Sequence, residues 1–171
     1  MPPPLILDPA TLELGKVVAD IEAIRKINPQ RFELEQLTAI ILIDSVAQVV
    51  AGYKDVRSDE FWVRGHMPGY PLLPGVLICE AAAQLCCYYI AVTGQLVGDF
   101  LGFGGMENIR FRGTVRPGDR LVLVGKAIKI HRRKTVFTVQ GFVGGTMVFD
   151  GDIIGMAMMV RQGDSALAEE G

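Results

Sequence analysis

One histidine and one glutamate flank a segment rich in proline and glycine. His66 lies at its start, Pro74 and Gly75 at its end, and Glu80 just beyond it. Prolines fix φ and glycines permit backbone conformations closed to other residues, so such a segment keeps one shape at little entropic cost. Histidine is the side chain best suited to act as a base near neutral pH. The pattern therefore predicts two proton-transfer groups held by a rigid loop.

The residues after Pro74 predict a buried helix that ends near Thr93. They are apolar nearly all round, and Gly94 lies just past the run. Proline is well suited to the first turn of such a helix. The chain's cysteines all lie on it, and their odd number and adjacency fit neither a disulfide framework nor a metal site. We expect reduced, packed thiols at Cys79, Cys86 and Cys87.

Glu80 and Gln84 share one face of this helix because they are four residues apart. A buried carboxyl group prefers its neutral form, which suits a general acid. The unpaired N–H groups of the first turn, beginning with Gly75, are free to stabilise a carbonyl oxygen that gains negative charge. Alone, His66 is more typical of a turn and Glu80 of a partly exposed helix face. Together these groups indicate proton abstraction beside a carbonyl group.

The motif that joins them is long. It runs Gly-His-x-Pro-Gly-x-Pro-x-x-Pro-Gly-Val from Gly65 to Val76, followed by Glu-Ala-x-Ala-Gln from Glu80 to Gln84. This order closely resembles the signature of the FabZ-type (3R)-hydroxyacyl-acyl carrier protein dehydratases of type II fatty acid synthesis. The resemblance extends to a strand that leads into the Pro-Gly-Asp turn at 117–119, and covers about residues 20–160.

The resemblance implies an α+β hotdog fold, in which an antiparallel β-sheet wraps a long central helix. It implies a homodimer in which the two sheets form one continuous sheet, with a trimer of dimers left open. His66 and Glu80 match the family's catalytic pair, Gly75 its amide donor to the thioester carbonyl, and Gln84 the glutamine that supports the acid. In this family the His and Glu of one site come from different subunits.

The implied reaction removes water from a (3R)-3-hydroxyacyl thioester to give the trans-2-enoyl thioester, without a metal or bound cofactor. The implied partner is acyl carrier protein with its phosphopantetheine thioester. Three alternatives stay open. A FabA-type dehydratase and isomerase typically has Asp where this chain has Glu80, a hotdog acyl thioesterase would use a carboxylate to activate water, and a non-catalytic homologue would bind acyl thioesters without turnover.

The chain departs from the family before the first strand. The family usually carries Pro-His-Arg-Tyr-Pro-Phe, whereas here Pro29-Gln30-Arg31-Phe32 is followed by extra residues and lacks the His and the second Pro. If this arm borders the substrate tunnel, the preferred chain length or carrier differs from that of the typical enzyme.

Composition places limits on the class of protein. The chain has 171 residues, and 50% are hydrophobic, which suits a single domain over residues 1–171. The net charge of -2 and the pI of about 5.7 argue against a nucleic acid partner. We expect no membrane span and no secretory signal, and therefore a cytoplasmic protein.

Short basic groups are the candidate docking sites for an acidic carrier. Arg110, Arg112 and Arg116 alternate along a strand that approaches the Pro-Gly-Asp turn, and solvated surface is the alternative reading. The group from His131 to Lys134 occupies a predicted hairpin turn and is expected to be surface.

The remaining elements follow from periodicity and turn residues. Apolar residues at helical spacing predict an N-terminal covering helix over about 9–28, and an extended apolar run predicts a long first strand over 40–56. Four further strands are expected near 100–114, 120–131, 134–144 and 146–161, with a turn at Gly144-Gly145. The polar tail 162–171 is expected to be mobile.

Overall fold

The computed structural model describes residues 1–160, so the tail predicted at 162–171 lies outside the described residues. Six strands and one long helix form the domain. The helix α2 spans Gly75–Val92, and a five-residue helix, α1, spans Ile21–Arg25. The strands are β1 (Ala39–Asp44), β2 (Val49–Asp55), β3 (Phe100–Phe111), β4 (Arg120–His131), β5 (Lys134–Val143) and β6 (Thr146–Met158).

The strands form one antiparallel sheet in the order β1-β2-β4-β5-β6-β3, and α2 packs against one of its faces. Tyr89, Leu85 and Phe137 are completely buried in the core between them. The predicted architecture, one long helix wrapped by an antiparallel sheet, is confirmed. The last four strands lie close to the predicted ranges, and Gly144 and Gly145 form the β5–β6 turn with positive φ angles of 54° and 81°.

By length and composition alone α2 is long and apolar enough to cross a bilayer. Of this helix, 61% is buried inside the domain, as is usual for the core helix of a globular protein.

The predicted covering helix over 9–28 is wrong. Residues Pro9–Thr11 form a single 3-10 turn, and Ala19 pairs with Ile40 at the edge of β1. The amides of Val18 and Ala19 donate to the Ile40 carbonyl, so this stretch is extended and only α1 remains helical. Pairing with an open sheet edge satisfies these backbone groups better than a solvent-exposed helix would.

The predicted long first strand over 40–56 is also wrong, because it is a hairpin. The Asp44 carboxylate accepts hydrogen bonds from the amides of Val46 and Ala47 at 3.0 and 2.8 Å, and Gln48 adopts a φ of 57°. An aspartate that caps its own turn competes with the continuous strand.

The two faces and the two edges of the sheet differ. The N-terminal residues Ile6, Leu7, Leu12 and Leu14 cover a second apolar cluster on the face away from α2. The buried Gln140 holds this segment in place, since its side chain bonds the Ile6 amide and the Pro4 carbonyl.

The strand β3 forms the edge of the sheet opposite β1. It has no neighbour on its outer side within residues 1–160, and exposes Phe100, Phe103, Met106 and Phe111.

Candidate active site

His66 lies at the end of a tight turn. Its backbone amide donates to the Trp62 carbonyl at 2.7 Å, and its ring Nδ1 lies 2.7 Å from the Leu72 carbonyl oxygen. A carbonyl can only accept, so Nδ1 carries the hydrogen in the neutral ring and Nε2 keeps its lone pair. The side chain is partly exposed, and this tautomer presents Nε2 as the basic atom.

A buried ion pair anchors that turn. Lys54 on β2, only 5% exposed, lies 2.8 Å from the Glu60 carboxylate, which also accepts from the indole N–H of Trp62 at 3.0 Å. No sequence motif marks Lys54 or Glu60 as a neighbour of the site. The signal that could have found them is a lysine inside a strand that is otherwise almost entirely buried, because buried lysines need a partner.

Gly75 begins α2, and its N–H has no acceptor within residues 1–160. The N–H groups of Leu77 and Ile78 instead reach the Pro74 carbonyl at 2.9 and 3.3 Å. A Cβ on Gly75 would lie 2.6 Å from Cζ of Phe111, so any larger residue must displace that ring. The helix therefore presents a free amide at its N-terminus.

Glu80 is held by Gln84, as the spacing predicts. Gln84 Nε2 donates to the Glu80 carboxylate at 2.8 Å and to the Leu34 carbonyl at 2.7 Å. Gln84 Oε1 accepts from the Gln36 amide at 3.0 Å, and the Asn28 side chain bonds the Gln84 carbonyl at 3.0 Å. The segment between α1 and β1, hereafter the arm, is the part that departs from the family pattern. It therefore packs directly on Gln84, the residue that holds Glu80.

A small cavity of about 40 Å³ opens beside Glu80, between α2 and the strands β3 and β6. Glu80 and Gln30 are its charged and polar lining residues, and the other lining residues are apolar or small and include Ala83, Cys87 and Leu101. His66 is not among the lining residues of this cavity. Within one chain the structure thus brings together Glu80, Gln84 and the arm, and leaves His66 in a separate environment.

The three cysteines are free and buried. Burial raises the pKa of each thiol, that of Cys86 most strongly. A raised pKa keeps a thiol protonated and weakly nucleophilic at neutral pH, which agrees with the expectation of packed, reduced cysteines.

The three candidate docking arginines differ in environment. Arg112 pairs with the carboxylate of Asp150, which raises the pKa of the guanidinium. Arg116 lies over the Tyr70 ring, with 4.1 Å from the guanidinium carbon to the ring centroid, and Arg110 bonds only its neighbour's carbonyl among the described residues. Arg110 and Arg116 are exposed and present their charge to solvent.

An antiparallel sheet wrapped around a helix that carries an acid, with a histidine loop before that helix, defines a hotdog-fold protein with acid–base groups. Residues 28–155 match the family model described as a FabA-like domain, and the chain belongs to that family.

Named relatives and solved structures agree with this assignment. The chain is 36% identical over 140 residues to the 3-hydroxyacyl-[acyl-carrier-protein] dehydratase FabZ of Moorella thermoacetica, covering 79% of this chain and 94% of the relative. The FabZ of Bacillus subtilis is 36% identical over 133 residues, covering 72% and 90%.

Among solved structures, the dehydratase heterocomplex ApeI:P from Xenorhabdus doucetiae matches with a TM-score of 0.64 at 14% identity, over 86% of this chain and 97% of that chain. Cj0977, a sigma28-regulated virulence protein from Campylobacter jejuni, matches with a TM-score of 0.60 at 21% identity, over 84% and 96%. At such identities these likenesses show the fold.

Proposed function

We propose that this protein is a 3-hydroxyacyl-[acyl-carrier-protein] dehydratase of fatty acid biosynthesis. The observation that carries the proposal is the Glu80–Gln84 pair beside a cavity on the central helix, in a chain similar to named FabZ dehydratases over most of its length. Activity on a carrier-bound intermediate of this synthesis fits a protein of the cytoplasm.

In the proposed mechanism, three groups act on one substrate. Nε2 of neutral His66 takes a proton from C2 of the 3-hydroxyacyl thioester, and the Gly75 amide donates to the thioester oxygen as negative charge develops there. Protonated Glu80 gives its proton to the 3-hydroxyl group. The C3–O bond breaks, water leaves, and the electron pair from the C2–H bond forms the C2–C3 double bond.

We place the two proton-transfer groups of one site on two subunits of a homodimer. Two observations support this arrangement: His66 does not line the cavity beside Glu80, and β3 leaves an edge with apolar side chains unpaired within the described chain. A second copy that pairs along this edge would cover those side chains and bring its own His66 loop toward the cavity.

The carrier docks on the arginines at the end of β3 and in the following turn. Arg110 and Arg116 carry exposed positive charge, whereas Arg112 is engaged by Asp150. Reversing Arg116 or Arg110 to Glu should weaken use of the acidic carrier substrate, most strongly at low salt, and spare a small pantetheine thioester. Equal losses on both substrates would count against docking.

Variants of the proton-transfer groups test the reaction itself. His66→Ala and Glu80→Gln should each abolish most formation of the enoyl thioester, measured by its ultraviolet absorbance, while the thermal unfolding midpoint stays near that of the wild type. A folded variant of either residue that retains near-normal dehydration would refute the assignment. Release of free thiol by the wild type without enoyl product would identify a thioesterase instead.

A further inference from the structure

Gln30 carries a buried polar atom that nothing within residues 1–160 satisfies. Its Oε1 has no hydrogen-bond partner, and it is one of five such side-chain atoms in the described chain. Of these five residues, Gln30 alone lines the cavity beside Glu80. A buried carbonyl oxygen without a partner costs about 1–3 kcal/mol, so a site that retains one gains when a ligand donates to it.

The backbone around Gln30 is held firmly. Nη1 of Arg31 donates to the carbonyls of Asn28 and Gln30 at 2.8 and 2.7 Å, and Nη2 donates to the Arg25 carbonyl at 2.8 Å. Three bonds from one guanidinium fix the chain from Arg25 to Gln30. The glutamine lines the same cavity as Glu80.

We infer that Gln30 Oε1 accepts a hydrogen bond from the 3-hydroxyl group of the substrate, which makes Gln30 a specificity-determining residue on the leaving-group side of Glu80. The inference rests on the proposed function. A volume of about 40 Å³ holds a hydroxyl group or a water molecule but not a long chain. Glu80 and Gln30 supply complementary groups there, a proton donor and an acceptor.

Gln30 also contributes to the chemical step. As Glu80 transfers its proton, the hydroxyl oxygen gains positive charge while the C3–O bond breaks, and its own O–H becomes a stronger donor. The bond to Gln30 then strengthens toward the transition state, and the water formed stays bonded to Oε1 until it leaves. Gln30 itself neither gains nor loses a proton.

Ligand pairs that differ only in the 3-hydroxyl group test the inference without turnover. In a His66→Ala background, a 3-hydroxyacyl pantetheine thioester should bind about fivefold more tightly than the acyl thioester of the same length that lacks the hydroxyl group. Adding Gln30→Met, which keeps the side-chain length but removes the acceptor, should reduce this preference to the part that the Glu80 bond supplies, and should leave binding of the ligand without the hydroxyl group unchanged. Gln30→His, whose neutral ring keeps an acceptor nitrogen, should retain part of it.

Kinetics and a second variant complete the test. With His66 restored, Gln30→Met should lower kcat about tenfold, because the bond is strongest in the transition state. A Gln30→Met protein that keeps the whole preference for the hydroxyl ligand would overturn the inference, and so would equal binding of both ligands by His66→Ala alone. If the Met side chain disturbs the arm and neither ligand binds, Gln30→Asn, which withdraws the carbonyl by one methylene, decides on the same criterion.

A different result would refute the proposed function, namely a wild-type protein that forms no enoyl thioester. The ratio of the two affinities is read without turnover, so it still supports or overturns the role of Gln30 in that case.

Discussion

At the scale of single residues, the site depends on side chains that satisfy one another. Gln84 is only 2% exposed and bonds Glu80, the Leu34 carbonyl and the Gln36 amide at once. A glutamine has both donors and an acceptor, so one side chain orients the acid and fastens the arm. Leucine has a similar volume but can do neither.

Gln84→Leu should therefore lower both stability and activity. It leaves the buried Gln36 amide without a partner and removes the bond to the Leu34 carbonyl, which together we expect to cost about 2–4 kcal/mol, or roughly 5–15 °C in the unfolding midpoint. Gln95→Leu is the matched control, since that side chain bonds only Thr93 in the described structure and the change should be small. Equal midpoints for the two variants would contradict the role of Gln84.

At the scale of elements, the start of α2 is set by a contact from another strand. Phe111 at the end of β3 lies against Gly75, and its ring centroid is 5.8 Å from that of Phe149. The arm between α1 and β1 is attached in a similar way, since Arg25 at the end of α1 donates to both carboxylate oxygens of Glu35 at 2.7 and 2.8 Å. These contacts join elements that are distant in sequence or separated by a loop.

Gly75→Ala should destabilise the protein although alanine is the better helix former. The propensity gain is at most about 1 kcal/mol, whereas overpacking against the Phe111 ring costs roughly 1–3 kcal/mol. In a double-mutant cycle, Phe111→Leu should relieve much of the loss, and the coupling should be measurable by chemical denaturation. Additive effects of the two changes would show that the ring is not the obstacle.

The Arg25–Glu35 pair should make stability depend on pH. The guanidinium lowers the pKa of the Glu35 carboxyl in the folded state, so the pair stabilises the fold above the ordinary glutamate pKa of about 4.3. This contribution is lost as the pH falls through the lower, folded pKa. Hence Glu35→Gln should have a lower unfolding midpoint than the wild type at pH 7. The difference between the two midpoints should disappear in strong acid.

Asp59→Asn is the control for that experiment. Arg57 lowers the pKa of the Asp59 carboxyl as well, but both side chains are about 70% exposed. Solvent and salt screen such a pair, so its removal should change the midpoint little at any pH. A gap for Glu35→Gln that persists unchanged to low pH would exclude the ion pair as its cause.

At the scale of the whole molecule, the proposed dimer rests on the edge of β3 that is open within residues 1–160 and on the absence of His66 from the lining of the Glu80 cavity. Strands that end a sheet with unpaired backbone groups and apolar side chains are templates for pairing. A site built from two identical chains makes activity a property of the pair, and two inactive variants can then complement each other.

Mixing His66→Ala with Glu80→Gln should revive activity. In a heterodimer one site receives both lesions and the other receives the intact His66 and Glu80, so random reassortment should restore about a quarter of wild-type activity. Subunits must exchange through co-expression or co-refolding, and differential tags confirm the heterodimers. Confirmed heterodimers that stay inactive would exclude a shared site.

Much of the fold was determined by sequence patterns. The apolar run after Pro74 predicted α2 almost to the residue, and alternation and turn residues located β3 to β6, because these signals are local. The motif from Gly65 to Val76 predicted the family, which is confirmed. The roles of His66, Glu80, Gly75 and Gln84 stay predictions.

Tertiary structure alone decided the N-terminal half and the environment of the acid. The apolar spacing over 9–28 suits a helix, yet the β1 edge takes up Ala19 through backbone pairing that periodicity does not encode. Likewise, Gln30 lines the cavity beside Glu80 only because the remote segment between α1 and β1 packs on α2. The Lys54–Glu60 pair forms only because β2 packs against the turn before His66. Sequence determines which groups are available and what local structure they favour, whereas burial and unsatisfied hydrogen-bonding groups arise only once remote segments pack together.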